Sequence, residues 1–176
     1  MPAFRDRLVF DAARGEYRDG DIRYLMMRPD ALMGLFAELP PQARAEALAA
    51  LARSVARHGG RSARKYRADG AASDAALLDT IAATAPQLGW GVWELRLEDD
   101  ALHLRVENSP FAAGFGTSAQ PVCAAITGML RAVGEIALGG DVSAAEESCA
   151  ATGAACCRFT ARRAAPHRAA EATPSR

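Results

Sequence analysis

The sequence predicts a single α/β domain, and three observations carry that reading. The chain has 176 residues, enough for one hydrophobic core and short of the length at which two are usual. Apolar residues recur at helical spacing in several separate segments, and in the middle of the chain they switch to strict alternation with charged residues. Clusters of Gly, Pro, Asn and Asp punctuate the chain between these segments.

Each element has its own signal. Residues 6–10 and 21–27 read as two short strands, with Gly15 and Gly20 at turn positions between them. Arg28-Pro29-Asp30 opens a helix with proline in its first turn, and Leu32, Leu35, Phe36 and Leu39 form its apolar stripe. Pro40-Pro41 stops that helix and starts a second. The second carries Ala45, Leu48, Leu51, Ala52 and Val55 on one face, and Gly59-Gly60 is expected to end it. Ser73-Asp74 caps a third helix, with Leu77, Leu78 and Ile81 facing inward and Pro86 beyond its end.

The period then changes. Trp93, Leu95 and Leu97 alternate with Glu94, Arg96 and Glu98. Asp99-Asp100 turns the chain, and Leu102, Leu104 and Val106 alternate with His103, Arg105 and Glu107. That pattern is a β-hairpin with one buried face. Asn108-Ser109-Pro110 closes it, and a glycine-rich stretch leads to a helix over 121–138, ended by Gly139-Gly140. Short strands are expected over 141–148 and 156–161. Residues 162–176 are alanine, arginine and proline without an apolar period. The domain is therefore expected to span 1–161, with a disordered tail at 162–176.

Composition narrows the function classes. Half of the chain is hydrophobic, but 41 residues are alanine, so large apolar side chains are few. Twenty-one basic residues balance twenty-one acidic ones, which gives no global attraction to nucleic acid or an anionic membrane. No apolar run approaches a bilayer span, and charges run through residues 1–11. A membrane span and a secretory signal are not expected, and the chain is placed in the cytoplasm. Arg53, Arg57, Arg61, Arg64, Lys65 and Arg67 crowd one stretch. They read as a solvated face, the alternatives being an acidic ligand group, a protein partner or RNA.

No catalytic residue is assigned. There is no Gly-x-Gly-x-x-Gly after a strand to hold a redox nucleotide, and no Walker loop. Of the three histidines, His58 is expected at a helix end, His103 on the outer face of the hairpin and His167 in the tail. Each reads as solvated and structural.

The cysteines are all in the last third: Cys123, Cys149, Cys156 and Cys157. In a reducing compartment, clustered cysteines bind metal or simply fill space, and composition does not separate the two. Spacing is more informative. Cys123 falls at the start of a helix, where the positive dipole end favours thiolate. Glu146 and Cys149 fall at the end of one strand and Cys157 at the start of the next, with Gly153 at the turn. Three thiolates and a carboxylate make a tetrahedral set suited to Zn²⁺. With four protein ligands, such a zinc is structural. Its surplus negative charge calls for donors such as Arg158 or backbone amides.

At these residues the chain resembles the 4-vinyl reductase domain family. The matching pattern is Asn108-Ser109-Pro110, Pro121-Val122-Cys123, Gly128, then Glu146, Cys149, Ala151, Gly153 and Cys157-Arg158-Phe159. The family includes a protein of bacteriochlorophyll biosynthesis and the sensor domains of activators that respond to aromatics. The resemblance implies zinc on Cys123, Glu146, Cys149 and Cys157, with Cys156 as a neighbour. It implies a small antiparallel sheet packed with helices, often as a homodimer, around an apolar pocket for a small hydrophobic ligand. A sensor or carrier role follows, with a tetrapyrrole as one candidate ligand. The alternative is an enzyme or reductase subunit acting on such a molecule. The chain departs from the activators in carrying no ATPase or DNA-binding part. The sensors' ligand-contacting histidine falls at Gly89, so phenol would not be held in the same manner.

Four aromatic residues are the pocket candidates. Trp90 and Trp93 stand at the start of the hairpin, and Phe111 and Phe115 just after its end. They line a ligand cavity or pack as ordinary core. The same two readings apply to Met26, Met27 and Met33.

Overall fold

The computed structural model describes residues 3–68 and 72–164. Two antiparallel sheets and six α-helices make up the regular structure of the described residues. A short helix α1 (Phe4–Arg7) leads into a three-stranded meander of β1 (Val9–Asp11), β2 (Glu16–Asp19) and β3 (Ile22–Tyr24). Helices α2 (Pro29–Ala37), α3 (Pro41–Ala68) and α4 (Asp74–Thr84) follow. The hairpin of β4 (Val92–Glu98) and β5 (Ala101–Glu107) comes next. Then come α5 (Pro110–Phe115), α6 (Ala124–Ala137), β6 (Val142–Ser148) and β7 (Cys157–Arg163). The larger sheet has the order β4-β5-β7-β6. Among the described residues, no helix is long and apolar enough to cross a membrane.

The alternation in β4 and β5 places Trp93 opposite Val106, Leu95 opposite Leu104 and Leu97 opposite Leu102. On β7, Phe159 pairs with Leu104 and Cys157 with Val106, so all of these share one face. Phe159, Leu102, Leu104 and Val106 are all at most 2% exposed. Burying each such side chain contributes about 2 kcal/mol.

Helix α6 lies between this sheet face and α3, and is buried on both sides. Small residues permit that. Gly134 faces Val142 and Ala161 of the sheet, while Gly128 lies directly against the Ala52 backbone of α3. Outside this stack, α4 packs on β4 and α2 on α5.

Several expectations change. The strand expected over 6–10 starts only at Val9, because α1 occupies the chain to Arg7. Gly59-Gly60 does not end the second helix, which runs to Ala68. Both glycines sit at the α6 contact, Gly59 beneath Met129 and Gly60 beside Ala132. Close approach of two helices rewards a missing Cβ more than helix propensity penalises it. The continued helix does align Arg53, Arg57, Arg61 and Arg64; Arg67 pairs with Asp74 at 3.0 Å.

Helix α5 is an element the periodicity does not announce, although Ser109 caps it through the Ala112 N–H and Pro110 occupies its first turn. The last strand extends past residue 161. Arg162 pairs with Ala101, and Arg163 Nε donates to the Leu138 carbonyl at 2.8 Å. The rest of the expected tail, from 165 on and with His167, lies outside the described residues.

Candidate functional site

Helix α6 begins at Cys123, which serves as its N-cap residue and accepts the Ile126 and Thr127 N–H groups on its carbonyl. Strands β6 and β7 present Glu146 and Cys157 on the side facing that helix end. Glu146 and Cys149 are three residues apart and would point to opposite faces of a regular strand. A register shift between Glu146 and Ser148 changes that parity, and Cys149 follows immediately. A 3₁₀ turn (Ala150–Thr152) and Gly153, at φ +95°, then return the chain to Cys157.

The result is one cluster. Its four ligand atoms, from Cys123, Glu146, Cys149 and Cys157, lie within 4.8 Å of one another. The Cys123 Sγ stands 3.8 Å from that of Cys149 and 3.7 Å from that of Cys157. Sulfur ligands about 2.3 Å from a tetrahedral zinc stand about 3.8 Å apart, so the spacing suits such an ion. All three cysteines are 0% exposed.

The surroundings are those of an electron-rich donor set. The Cys123 N–H donates to Glu146 Oε2 at 2.8 Å, the Ala150 N–H donates to Cys157 Sγ at 3.3 Å, and Ser109 Oγ lies 3.3 Å from Cys123 Sγ. Glu146 Oε1 is buried with no hydrogen-bond partner. A buried carboxylate oxygen without a partner costs free energy unless a cation takes it up.

Burial pushes the Glu146 carboxyl up to about 8, and the adjacent Cys149 sulfur adds to the shift. Hydrogen bonds from the Cys123 and Cys157 thiols hold Cys149 well below the usual thiol value. Hydrogen bonding to Cys149, then to Cys157, raises Cys123 strongly. Cys157 accepts from Cys123 but donates to Cys149, and is pushed up to about 12 with burial contributing. The arrangement can hold one four-coordinate cation, which would displace the thiol protons.

The balancing donors are backbone amides. Arg158 is exposed and points away from the cluster on β7. Cys156 is also buried but stands outside the ligand set, beside Arg105.

The second feature is an apolar cavity of about 420 Å³ between α3, α4 and β4. Val55, Ile81, Leu88, Trp90, Trp93 and Met129 line it, with the rings of Tyr24 and Tyr66. A further cavity of about 330 Å³ is lined by Trp90, Phe111, Met26 and Met27. Trp90, Trp93 and Phe111 are therefore brought together. Trp90 packs edge-on to Phe111 at 5.1 Å, and Trp93 Nε1 donates to the Trp90 carbonyl at 2.9 Å.

Phe115 lines neither cavity. It lies under the Arg44 guanidinium at 5.4 Å. Met33 is wholly buried core. His58 is not at a helix end but mid-helix, where it is exposed and lines the first cavity. His103 keeps its place on the outer face, 3.2 Å from Thr160 Oγ1. Tyr24 and Tyr66 are cavity residues that sequence reasoning missed. Tyr66 shares a helix face with Val55, Gly59 and Ser62 only once α3 is known to continue past the glycines.

Residues 102–163 match the family model of the 4-vinyl reductase domain, and the resemblance read from Asn108 to Phe159 falls inside that match. No curated protein matches the chain in sequence. Among solved structures, the chain is similar to the phenol-responsive sensory domain of the transcription activator PoxR with phenol. The TM-score is 0.75 at 21% identity, over 90% of this chain and 86% of that one. It is also similar to a trafficking protein particle complex subunit 3 from Naegleria fowleri covalently bound to palmitic acid. There the TM-score is 0.53 at 14% identity, over 76% of this chain and 93% of that one. A third similar structure is a vinyl-4-reductase family protein from Methanocaldococcus jannaschii. Its TM-score is 0.50 at 14% identity, over 78% of this chain and 91% of that one. At these identities the likeness is one of fold.

Proposed function

We propose that this chain is a zinc-stabilised binding domain that holds a hydrophobic or aromatic small molecule, as a sensor or carrier. The observation that carries the proposal is the apolar cavity of about 420 Å³, walled by Trp90, Trp93 and Met129, in a fold shared with a phenol-responsive sensory domain. A cavity of that size, mostly apolar with a few polar groups at its edge, is the usual form of a small-molecule site. Trp90, Trp93 and Phe111 are the proposed ligand contacts.

Zinc would be held by Cys123, Glu146, Cys149 and Cys157. The sulfur spacing and the unpartnered Glu146 Oε1 support it. Four protein ligands leave no open coordination position, so the ion would fix the end of the sheet to the start of α6 rather than perform chemistry.

The chain would work as a homodimer in the cytoplasm, where its four thiols stay reduced. Consecutive Leu25, Met26 and Met27 are 78%, 71% and 53% exposed, an apolar surface that a second copy would cover. A tetrapyrrole of bacteriochlorophyll synthesis is one candidate ligand.

Native mass spectrometry of the untagged protein, purified without chelators, tests the reading. The expected result is a dimer with one zinc per chain and an additional organic mass. A metal-free chain with four reactive thiols would overturn the zinc assignment. Failure to retain or take up any apolar compound would overturn the binding role.

A further inference from the structure

The ligand class can be narrowed from the shape of the apolar space, an argument that rests on the binding role proposed above. The two cavities share Tyr24, Leu25, Leu88 and Trp90. Trp93 lines only the larger and Phe111 only the smaller, and the Trp90 ring stands between them. It lies 6.3 Å from the Trp93 ring and 5.1 Å from the Phe111 ring. The two spaces are compartments of one apolar channel, and the Trp90 indole is the wall between them.

The wall is anchored at its backbone. Trp90 N–H donates to the Ala85 carbonyl at 3.0 Å, and its carbonyl accepts from Trp93 Nε1. Gly89 and Gly91 flank it at φ +75° and +85°. A Cβ at Gly91 would come within 2.5 Å of the Glu107 carbonyl, so the chain there admits only glycine. With its backbone held, Trp90 can change the channel only by turning its half-buried side chain.

Size then decides the class. A cavity of roughly 150 Å³ is filled by one aromatic ring. The larger compartment alone is about 420 Å³. A single ring would leave most of the apolar wall in contact with water and gain little from burial. The polar groups are few and stand on α3: Ser54, His58 and Ser62, with the Tyr66 hydroxyl, which accepts from Arg7 at 3.4 Å.

We infer that the channel takes an elongated apolar molecule with one hydroxyl end, longer than a single ring, and that Trp90 sets the length it accepts. The hydroxyl lies among the α3 groups and the apolar body runs towards Trp90.

The experiment is calorimetric titration of the purified protein with 4-alkylphenols, from phenol to 4-heptylphenol. Wild-type affinity should rise about fourfold for each added methylene, until the tail meets Trp90 and the rise stops. In Trp90→Ala the rise should continue to tails at least two carbons longer, with Trp90→Phe in between. Phenol binding as tightly as 4-heptylphenol would overturn the inference and leave the binding role standing. A limit unchanged in both variants would overturn the assignment of Trp90. If no member of the series binds, the binding role and this inference both fall.

Discussion

Cys123 and Cys157 are 34 residues apart in the chain, yet their sulfurs stand 3.7 Å apart and away from water. Bringing three thiols and a carboxyl together without a cation is unfavourable, because each proton left in the cluster occupies a position that a metal bond would replace. Loss of one ligand should therefore act on stability as well as on metal content. Cys149→Ser is expected to abolish zinc retention. If free zinc stands a thousandfold above its Kd, the loss is about 4 kcal/mol. For a chain of this length that is a fall of roughly 8–16 °C in Tm. Cys156→Ser is expected to keep one zinc per chain, since Cys156 lies outside the ligand set. Metal analysis and thermal melts of the two variants check this, and equal zinc contents in both would remove Cys149 from the site. These four residues were legible in the sequence, because spacing and residue type are local properties. Ser109 was not, because its contact with Cys123 depends on a helix, α5, whose capping signal sat unread in Ser109-Pro110.

Helices α3 and α6 set the thickness of the molecule. Their contact is made of glycine and alanine, so one methyl group is felt. Gly128→Ala would drive a Cβ into the Ala52 carbonyl, which is backbone and has no room to yield. The expected cost is about 1–3 kcal/mol by denaturant unfolding. Gly59→Ala meets only the end of the Met129 side chain, which can rotate aside. It also removes a helix-interior glycine, worth roughly 0.5–1 kcal/mol, so it should be neutral or stabilising. If both variants cost the same, the contact is not what keeps these glycines in the helix. Read along the chain, Gly59-Gly60 stops α3, because glycine is a poor helix former in isolation. Only the neighbouring helix shows why the element continues. The hairpin was legible because its period reports one buried face directly.

In the whole molecule, the metal cluster and the apolar channel occupy different places. The cluster ties β6 and β7 to the start of α6, while the channel lies between α3, α4 and β4 and reaches the small sheet through Tyr24. The meander of β1–β3 is held to the body by Arg7, which pairs with Asp19 at 2.9 Å and reaches the Tyr66 hydroxyl. From its edge the exposed Leu25-Met26-Met27 segment projects. The proposed dimer should depend on that segment. A Leu25→Asp, Met26→Asp variant is expected to elute as a monomer by light scattering, with its zinc content unchanged. A dimer that persists would place the interface elsewhere.

By itself the sequence determined most of the helix and strand periods, the hairpin register and the identity of the four clustered residues. Each of these depends on residue type and on spacing along one or two elements. The tertiary structure alone decided where α3 ends, which aromatic residues meet in a cavity and which donors face the thiols. Those outcomes are set by elements distant in the chain: Met129 and Ala132 over Gly59 and Gly60, and Arg44 over Phe115 rather than a cavity beside it. A pattern along the chain records which side chains avoid water. It does not record which of them share the same interior space.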